Sequence, residues 1–293
     1  MKQKPNNHSA WAEKWPAPAK LNLMLRITGQ RSDGYHLLQT VFQFTGLCDW
    51  LSFHPVDNGK VSLKKTIPGV PESDDLTVRA AKLLKAETGC EQGVCIEVEK
   101  NLPLGGGLGG GSSDAATALV VLNELWHLKL SSEKLMDLGL TLGADVPVFV
   151  YGHSSWAEGV GEKLEKIRIG EQWVIIIKPA CRVDTKQIFS AKNLTRNSRS
   201  ITIRDFTEGE HQNDCLAVVC ELHPAVKKAL VDLSAFSEAR LTGTGACVFA
   251  QFESENAALE AYKFLKDKWQ IYLTKGVNES PLFSKLKLGK YIS

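Results

Sequence analysis

Six of the seven residues from Gly105 to Gly111 are glycine, and Ser112, Ser113 and Asp114 follow at once. Ordering a glycine gives up more backbone entropy than ordering any other residue. A chain that accepts this needs backbone to approach something closely. Downstream, Ala115, Leu119, Leu122 and Trp126 recur at helical spacing. The spacing predicts a helix over 113–126 with Ser112, Ser113 and Asp114 as its N-terminal residues. Upstream, 94–98 alternates like a strand and leads into Asn101-Leu102-Pro103. A glycine loop entering a helix turns N–H groups and the positive end of the helix dipole toward one spot, and that spot suits phosphate. The candidate phosphate-binding residues are Pro103, Leu104, Gly105, Gly106, Gly107, Leu108, Gly109, Gly110, Gly111, Ser112 and Ser113. Either serine hydroxyl could reach a phosphate oxygen or Mg²⁺.

Two familiar phosphate motifs are excluded. Gly105, Gly107 and Gly110 satisfy G-x-G-x-x-G, but a dinucleotide fold also needs an acidic residue about 20 positions on, closing a second strand. Glu124 falls inside the predicted helix instead. No lysine follows the last glycine, as a P-loop requires. The alternative of a flexible linker fits poorly between a strand and an amphipathic helix.

The 293 residues suffice for one large or two ordinary domains. A hydrophobic share of 43% and a charged share of 23% are those of a globular protein. With a net charge of +2 and no dense basic stripe, nucleic acid is not an expected partner. The seven cysteines are scattered without C-x-x-C spacing, and read as reduced, mostly buried thiols of a cytoplasmic protein. Apolar runs such as Val174 to Ile177 are too short for a membrane span. Residues 1–14 read as a polar, flexible lead-in.

Strands are expected at 19–25 and 35–42, joined by the turn 29–34. A hairpin of 49–53 with 60–64 is expected around Asp57-Asn58-Gly59. Ser73 or Asp74 is the expected cap of a helix ending near Gly89. A second helix after Ser131 carries Leu135, Leu138 and Leu142 and stops at Gly143. A strand-like run follows at 148–151, then a hairpin after 156–161. Beyond a soft boundary near residue 165 the pattern restarts: a strand at 173–177, a loop at 193–204, and a helix at 224–233. A turn into a strand at 240–252 is followed by a helix at 256–268, with Ala257, Ala261, Phe264 and Leu265 on one side. The last strand is 270–275. Strands and helices do not alternate strictly, which favours α+β with mostly antiparallel sheets. The expected division is a lead-in 1–14, an N-terminal domain 15–165 and a C-terminal domain 166–293.

Phosphoryl transfer to an alcohol needs a group that takes the hydroxyl proton and a positive charge beside the phosphoryl. Lys20 and Asp145 would serve as such a pair. Read alone, Lys20 is a solvated lysine at a strand edge and Asp145 a capping or turn residue. Thr242-Gly243-Thr244-Gly245 is either a tight turn or a second wall of the site. Tyr35-His36 is either surface or core, or an aromatic and an imidazole that stack on and bond a base.

Four stretches together carry a family resemblance. They are Pro18-Ala19-Lys20-Leu21-Asn22-Leu23, the run from Gly29 to His36, the run from Leu102 to Ala116, and Leu142-Gly143-Ala144-Asp145-Val146-Pro147 joined with Leu241-Thr242-Gly243-Thr244-Gly245-Ala246. In this order, from about Trp15 to Ser280, they resemble the GHMP kinase superfamily. P-A-K-L-N, D-G-Y-H and G-A-D-V-P resemble its members that act on a cytidine-diphosphate-linked methylerythritol. The resemblance implies a two-domain fold, the first like domain 2 of ribosomal protein S5 and the second a ferredoxin-like α+β domain. It implies ATP as co-substrate over the glycine loop, Mg²⁺ with the ATP, and no dedicated metal cage. Asp145 and Lys20 are the implied catalytic pair. Tyr35 and Phe189 are the implied aromatic sandwich for cytosine, His36 bonds its edge, and Asn22 faces the erythritol. Thr242, Gly243, Thr244 and Gly245 complete the implied substrate site. A monomer or weak homodimer, with no membrane partner, is expected. The chain departs from the pattern at Asp75, where relatives commonly carry Asn beside adenine. It departs again at Gly106, where many carry Ala, a difference expected to be harmless.

Overall fold

Two long antiparallel strands, β1 (Lys14–Gln30) and β2 (His36–Val56), frame the molecule. The computed structural model describes residues 10–288. Of the expected lead-in, 1–9 lies outside the described residues, Ala10 is buried, and β1 begins at Lys14. The runs 35–42 and 49–53, expected as separate strands, are both parts of β2.

The expected hairpin around Asp57-Asn58-Gly59 does not form. Instead β3 (Val61–Leu63) pairs in parallel with β4 (Gly93–Glu99), and β4 pairs antiparallel with β2. The crossover helix α1 (Leu76–Thr88) makes this possible, because parallel neighbours need a long connection. Its cap is Asp75, whose carboxylate accepts the N–H groups of Thr77 and Val78, in place of the expected Ser73 or Asp74.

Helix α2 (Gly110–Leu125) starts earlier than expected, with Gly109 as N-cap at φ 74°. Ser112, Ser113 and Asp114 therefore sit within its first turns instead of capping it. Helix α3 (Ser132–Leu142) is capped by Ser131 and ends at Gly143, as expected. The run after Asp145 is a helix, α4 (Val146–Tyr151), where a strand was expected. Its β-branched residues read as strand. Pro at its start, a left-handed Gly152 at its end and burial of Val146, Val148, Phe149 and Val150 decide for helix. These helices cover one face of the first sheet, with Phe44, Phe53, Leu84, Leu119 and Phe149 in one core.

The hairpin β5 (Ser155–Glu158) and β6 (Lys163–Lys166) adds to β2. Then β7 (Trp173–Lys178), β8 (Ala239–Leu241), β9 (Val248–Phe252) and β10 (Gln270–Val277) form an antiparallel sheet in the order β10-β7-β9-β8. Short helices α5 (Thr185–Ser190), α6 (Ile203–Thr207) and α7 (Leu216–Leu222) lie in the connection. Helices α8 (Pro224–Ser234) and α9 (Glu255–Leu265) cover the sheet. On α9 the buried side is Ala258, Ala261 and Leu265. Ala257 and Phe264 point outward, against expectation, and Phe264 meets Phe236 and Lys268 instead.

Gly276 and Val277 at the end of β10 pair with Thr45 and Phe44 of β2, so the ten strands of the described residues connect by hydrogen bonds. The final helix α10 (Pro281–Leu288) returns to β1 and buries Leu282 and Leu286 in the first core.

Candidate active site

Lys20 and Asn22 are two residues apart on β1, so they share a face. Register shifts between Pro18 and Lys20 and between Asn22 and Met24 flank them. Such irregularities re-aim side chains. Lys20, only 3% exposed, lies 3.2 Å from an oxygen of Asp145, which is 37% exposed. Its ammonium also donates to Asn22 Oδ1 at 2.6 Å. Asn22 in turn donates to Thr40 Oγ1 at 2.9 Å, and Thr40 to the Met24 carbonyl at 2.6 Å. Asp145 precedes α4, yet its side chain caps nothing. Lys20 is thus buried, not solvated, and Asp145, although it sits in the turn before α4, turns its carboxylate to Lys20 instead of capping the helix.

The glycine loop lies directly against this pair. The Lys20 N–H donates to the Leu108 carbonyl at 3.0 Å. Gly105, Gly107 and Gly109 all take left-handed φ values, of 65°, 74° and 74°. A Cβ on Gly109 would stand 2.8 Å from the Phe149 ring and 3.2 Å from Lys20 Cε. A Cβ on Gly107 would stand 2.6 Å from the Thr242 carbonyl and 2.8 Å from that of Gly245. Gly107 and Gly109 are therefore held to glycine by close packing against protein, whereas a Cβ on Gly105, Gly110 or Gly111 would meet only ordinary contacts. On its open side, a cavity of about 280 Å³ is lined by the loop from Pro103 through Ser112, with Leu76, Lys100 and Asp145. Ser113 is buried beneath it and its hydroxyl has no hydrogen-bond partner.

The 242–245 turn is the second wall. Thr242 Oγ1 accepts the Asn22 N–H at 3.0 Å, and the Cys247 N–H donates to the Gly106 carbonyl at 3.0 Å. Gly243 and Thr244 face a second cavity of about 280 Å³ with Lys20, Asn22 and Asp145. A Cβ on Gly106 would stand 2.6 Å from Cys247 Sγ, so an alanine here needs that thiol to shift.

The third cavity, of about 850 Å³, is lined by Tyr35, His36, Phe189, Lys186 and Arg196 among others. His36 and Phe189 stack with centroids 4.9 Å apart and planes at 24°. Tyr35 is 61% exposed. Leu38, Ala144, Val160, Thr185 and Phe189 line both this cavity and the second one. Gly107, Ser112 and Asp145 line both the second cavity and that of the glycine loop. The three form one cleft with Lys20 and Asp145 in its middle.

Both halves of the chain match known kinase domains. The family model described as "GHMP kinases N terminal domain" matches residues 75–153, and "GHMP kinases C terminal" matches 191–271. The chain is 52% identical over 273 residues to the 4-diphosphocytidyl-2-C-methyl-D-erythritol kinase of Nitrosococcus oceani, covering 93% of this chain and 98% of that one. The chain belongs to the GHMP kinase family.

Its identity to the enzyme of the same name from Methylococcus capsulatus is 53% over 272 residues, covering 92% of this chain and 94% of that one. A crystal structure of a 4-(cytidine 5'-diphospho)-2C-methyl-D-erythritol kinase superimposes with a TM-score of 0.79 at 30% identity, over 91% of this chain and all (100%) of that one. The mevalonate kinase of Methanococcus jannaschii shares the fold at a TM-score of 0.67 and 16% identity, over 91% and 98% of the two chains.

Several groups of this GHMP kinase site escape sequence reasoning. Arg196 donates to His36 Nε2 at 3.2 Å. Asn213 donates to the Leu241 and Gly243 carbonyls at 3.0 and 2.9 Å and so ties down the 242–245 turn. Beneath the glycine loop, Lys100 contacts Asp49 and lies 2.7 Å from Asp114. Burial pushes the Asp114 carboxyl up to about 7, against the pull of Lys100 and helped by the charge of Asp49. Burial lowers Lys100, but the two carboxylates outweigh it and leave its pKa raised. For Arg196, Lys100 and Asp49 no sequence signal exists, because each is defined by a partner distant in the chain. Among the described residues no cluster of three His, Cys, Asp or Glu suits a metal, and no helix is long and apolar enough to cross a membrane.

Proposed function

We propose that this GHMP kinase phosphorylates the 2-hydroxyl of 4-diphosphocytidyl-2-C-methyl-D-erythritol from ATP. The products are the 2-phosphate and ADP, in the methylerythritol phosphate route to isoprenoid precursors. The observation that carries the reading is the single cleft. An aromatic and imidazole pocket stands at one end, a glycine cradle at the other, and the Lys20–Asp145 pair between them.

The cradle suits a nucleotide phosphate: the loop opens onto the N-terminus of a sixteen-residue helix, and Ser112 lines the same cavity. Bound ATP supplies the phosphoryl group, and Mg²⁺ bound with it screens the phosphate charge. Asp145 positions and polarises the acceptor hydroxyl and takes its proton. Lys20 orients Asp145 and places positive charge where negative charge grows. Asn22 holds Lys20 and faces the erythritol. Phe189 and Tyr35 hold the cytosine by stacking, and His36 bonds its edge. Gly243 and Thr244 close the substrate side. This reading divides the chain near residue 165 into two kinase domains. It takes the protein as a monomer or weak homodimer of the cytoplasm, where seven free thiols are stable.

A coupled ADP-release assay tests the proposal. Turnover is expected with the cytidine substrate and not with mevalonate, homoserine or galactose. Preference for one of those three would reassign the acceptor within the family.

A further inference from the structure

Arg196 uses four of its five N–H donors beside His36 and Phe189. Its Nε donates to His36 Nε2 at 3.2 Å. One terminal nitrogen donates to the Leu194 carbonyl at 3.1 Å, and the other to the carbonyls of Phe189 and Ala191, both at 2.8 Å. A guanidinium has no acceptor. The His36 atom that faces it is therefore a lone pair, and the neutral ring carries its proton on Nδ1. Burial and the Arg196 charge both lower the His36 pKa, which keeps the ring neutral. The same arginine anchors the backbone of Phe189, the ring on which His36 stacks. One side chain thus sets the tautomer, the ring plane and the stacking partner.

What His36 can still offer a base is one N–H donor. Cytosine presents a lone pair at N3 and uracil presents an N–H there. A donor opposite cytosine N3 makes a hydrogen bond. Opposite uracil N3 it faces another donor, and a buried donor without a partner is costly. Pockets built around a required hydrogen bond reject the wrong partner more strongly than apolar pockets do.

We propose that Arg196 is a specificity-positioning residue: by occupying His36 Nε2 it locks the imidazole as an Nδ1–H donor toward base N3, and so makes the pocket select cytosine over uracil. The inference rests on the cytidine-linked acceptor proposed above.

The test uses the full chain. Long-range ¹⁵N NMR of the histidine rings is expected to show His36 as the Nδ1–H tautomer in the wild type and as Nε2–H in Arg196→Ala. Kinetics with the cytidine substrate and its uridine counterpart are expected to show the cytosine preference falling at least about tenfold in Arg196→Ala. The loss should fall on KM for the cytidine substrate and not on KM for ATP. Arg196→Lys, which keeps one donor but loses the fork, should recover part of the preference. An Nε2–H ring in the wild type, or a preference unchanged in both variants, overturns the role of Arg196. Should Arg196→Ala not fold, the wild-type tautomer and the lysine variant still decide. Failure of the wild type to use the cytidine substrate would instead sink the acceptor assignment, and the tautomer measurement separates the two failures.

Discussion

At the scale of residues, the site is a chain of short polar contacts around one buried ammonium. Lys20 holds Asp145 and Asn22 together, and Asn22 is fixed by Thr40 and by the Thr242 hydroxyl. Asp145→Asn keeps the shape but loses the charge and the proton acceptor. It should abolish ADP formation while ATP binding, measured by calorimetry, stays near normal. Near-normal turnover would remove Asp145 from the chemistry. In the proposed base pocket, Phe189→Ala and Tyr35→Ala should each lose stacking worth about 1–3 kcal/mol. The effect should appear as a raised KM for the cytidine substrate alone, and an equal rise in KM for ATP would count against the sandwich. Sequence motifs bring these residues forward as candidates. They do not say that Lys20 is buried, that Asp145 caps nothing, or that Arg196 stands behind His36. Each of those is a meeting between distant segments.

At the scale of elements, the glycine loop is held from below and from the side. From the side, Gly107 has carbonyls of the 242–245 turn where a side chain would go. Gly107→Ala should therefore push the two walls apart and weaken ATP binding, with the far-ultraviolet circular dichroism preserved. Unchanged ATP affinity would show that the contact is dispensable. From below, Lys100 joins Asp49 of β2 to Asp114 of α2. Asp49 also accepts the N–H groups of Asn101 and Leu102, at 2.6 and 2.7 Å, where the chain enters the loop. The Asp114 carboxyl, ordinarily near 3.8, is raised to about 7. The folded protein therefore binds its proton more tightly than the unfolded chain does. Its contribution to stability is present below the unfolded value and is lost as pH rises through the folded one. Asp114→Asn should remove that slope, which is at most about 1.4 kcal/mol per pH unit. Urea unfolding between pH 4 and pH 7 checks it. Parallel curves for the two proteins would mean that Asp114 titrates normally.

For the whole molecule, the decisive connection is the return of the chain's end. β10 carries hydrogen bonds from the C-terminal sheet into β2, and α10 buries Leu282 and Leu286 in the core of the first half. The halves share a sheet path and a core, so they should unfold together. Calorimetry should give a single transition whose van't Hoff and calorimetric enthalpies agree. Leu286→Ala should lower that one transition, at about 2–5 kcal/mol of stability. Two separate transitions would show that the halves are independent. A boundary near residue 165, read from the restart of the pattern, does not anticipate this return. The pattern records where strands begin, not which neighbours they choose.

The sequence by itself determined that a glycine loop enters a helix at 105–111, because six clustered glycines mark backbone that comes close to something. With the strings around Lys20, His36 and Asp145, it also determined the family. It determined most elements, since their period and caps are local. The tertiary structure alone decided the rest. It made 146–151 a helix, since burial on all sides outweighs β-branched propensity. It made β3 parallel to β4, since a helix crosses between them. It gave two of the glycines their meaning as well: Gly107 and Gly109 are glycine because the Thr242 and Gly245 carbonyls, and Phe149 with Lys20, stand where a side chain would go. A local pattern can require that backbone come close to something. Only the packed chain supplies the thing approached.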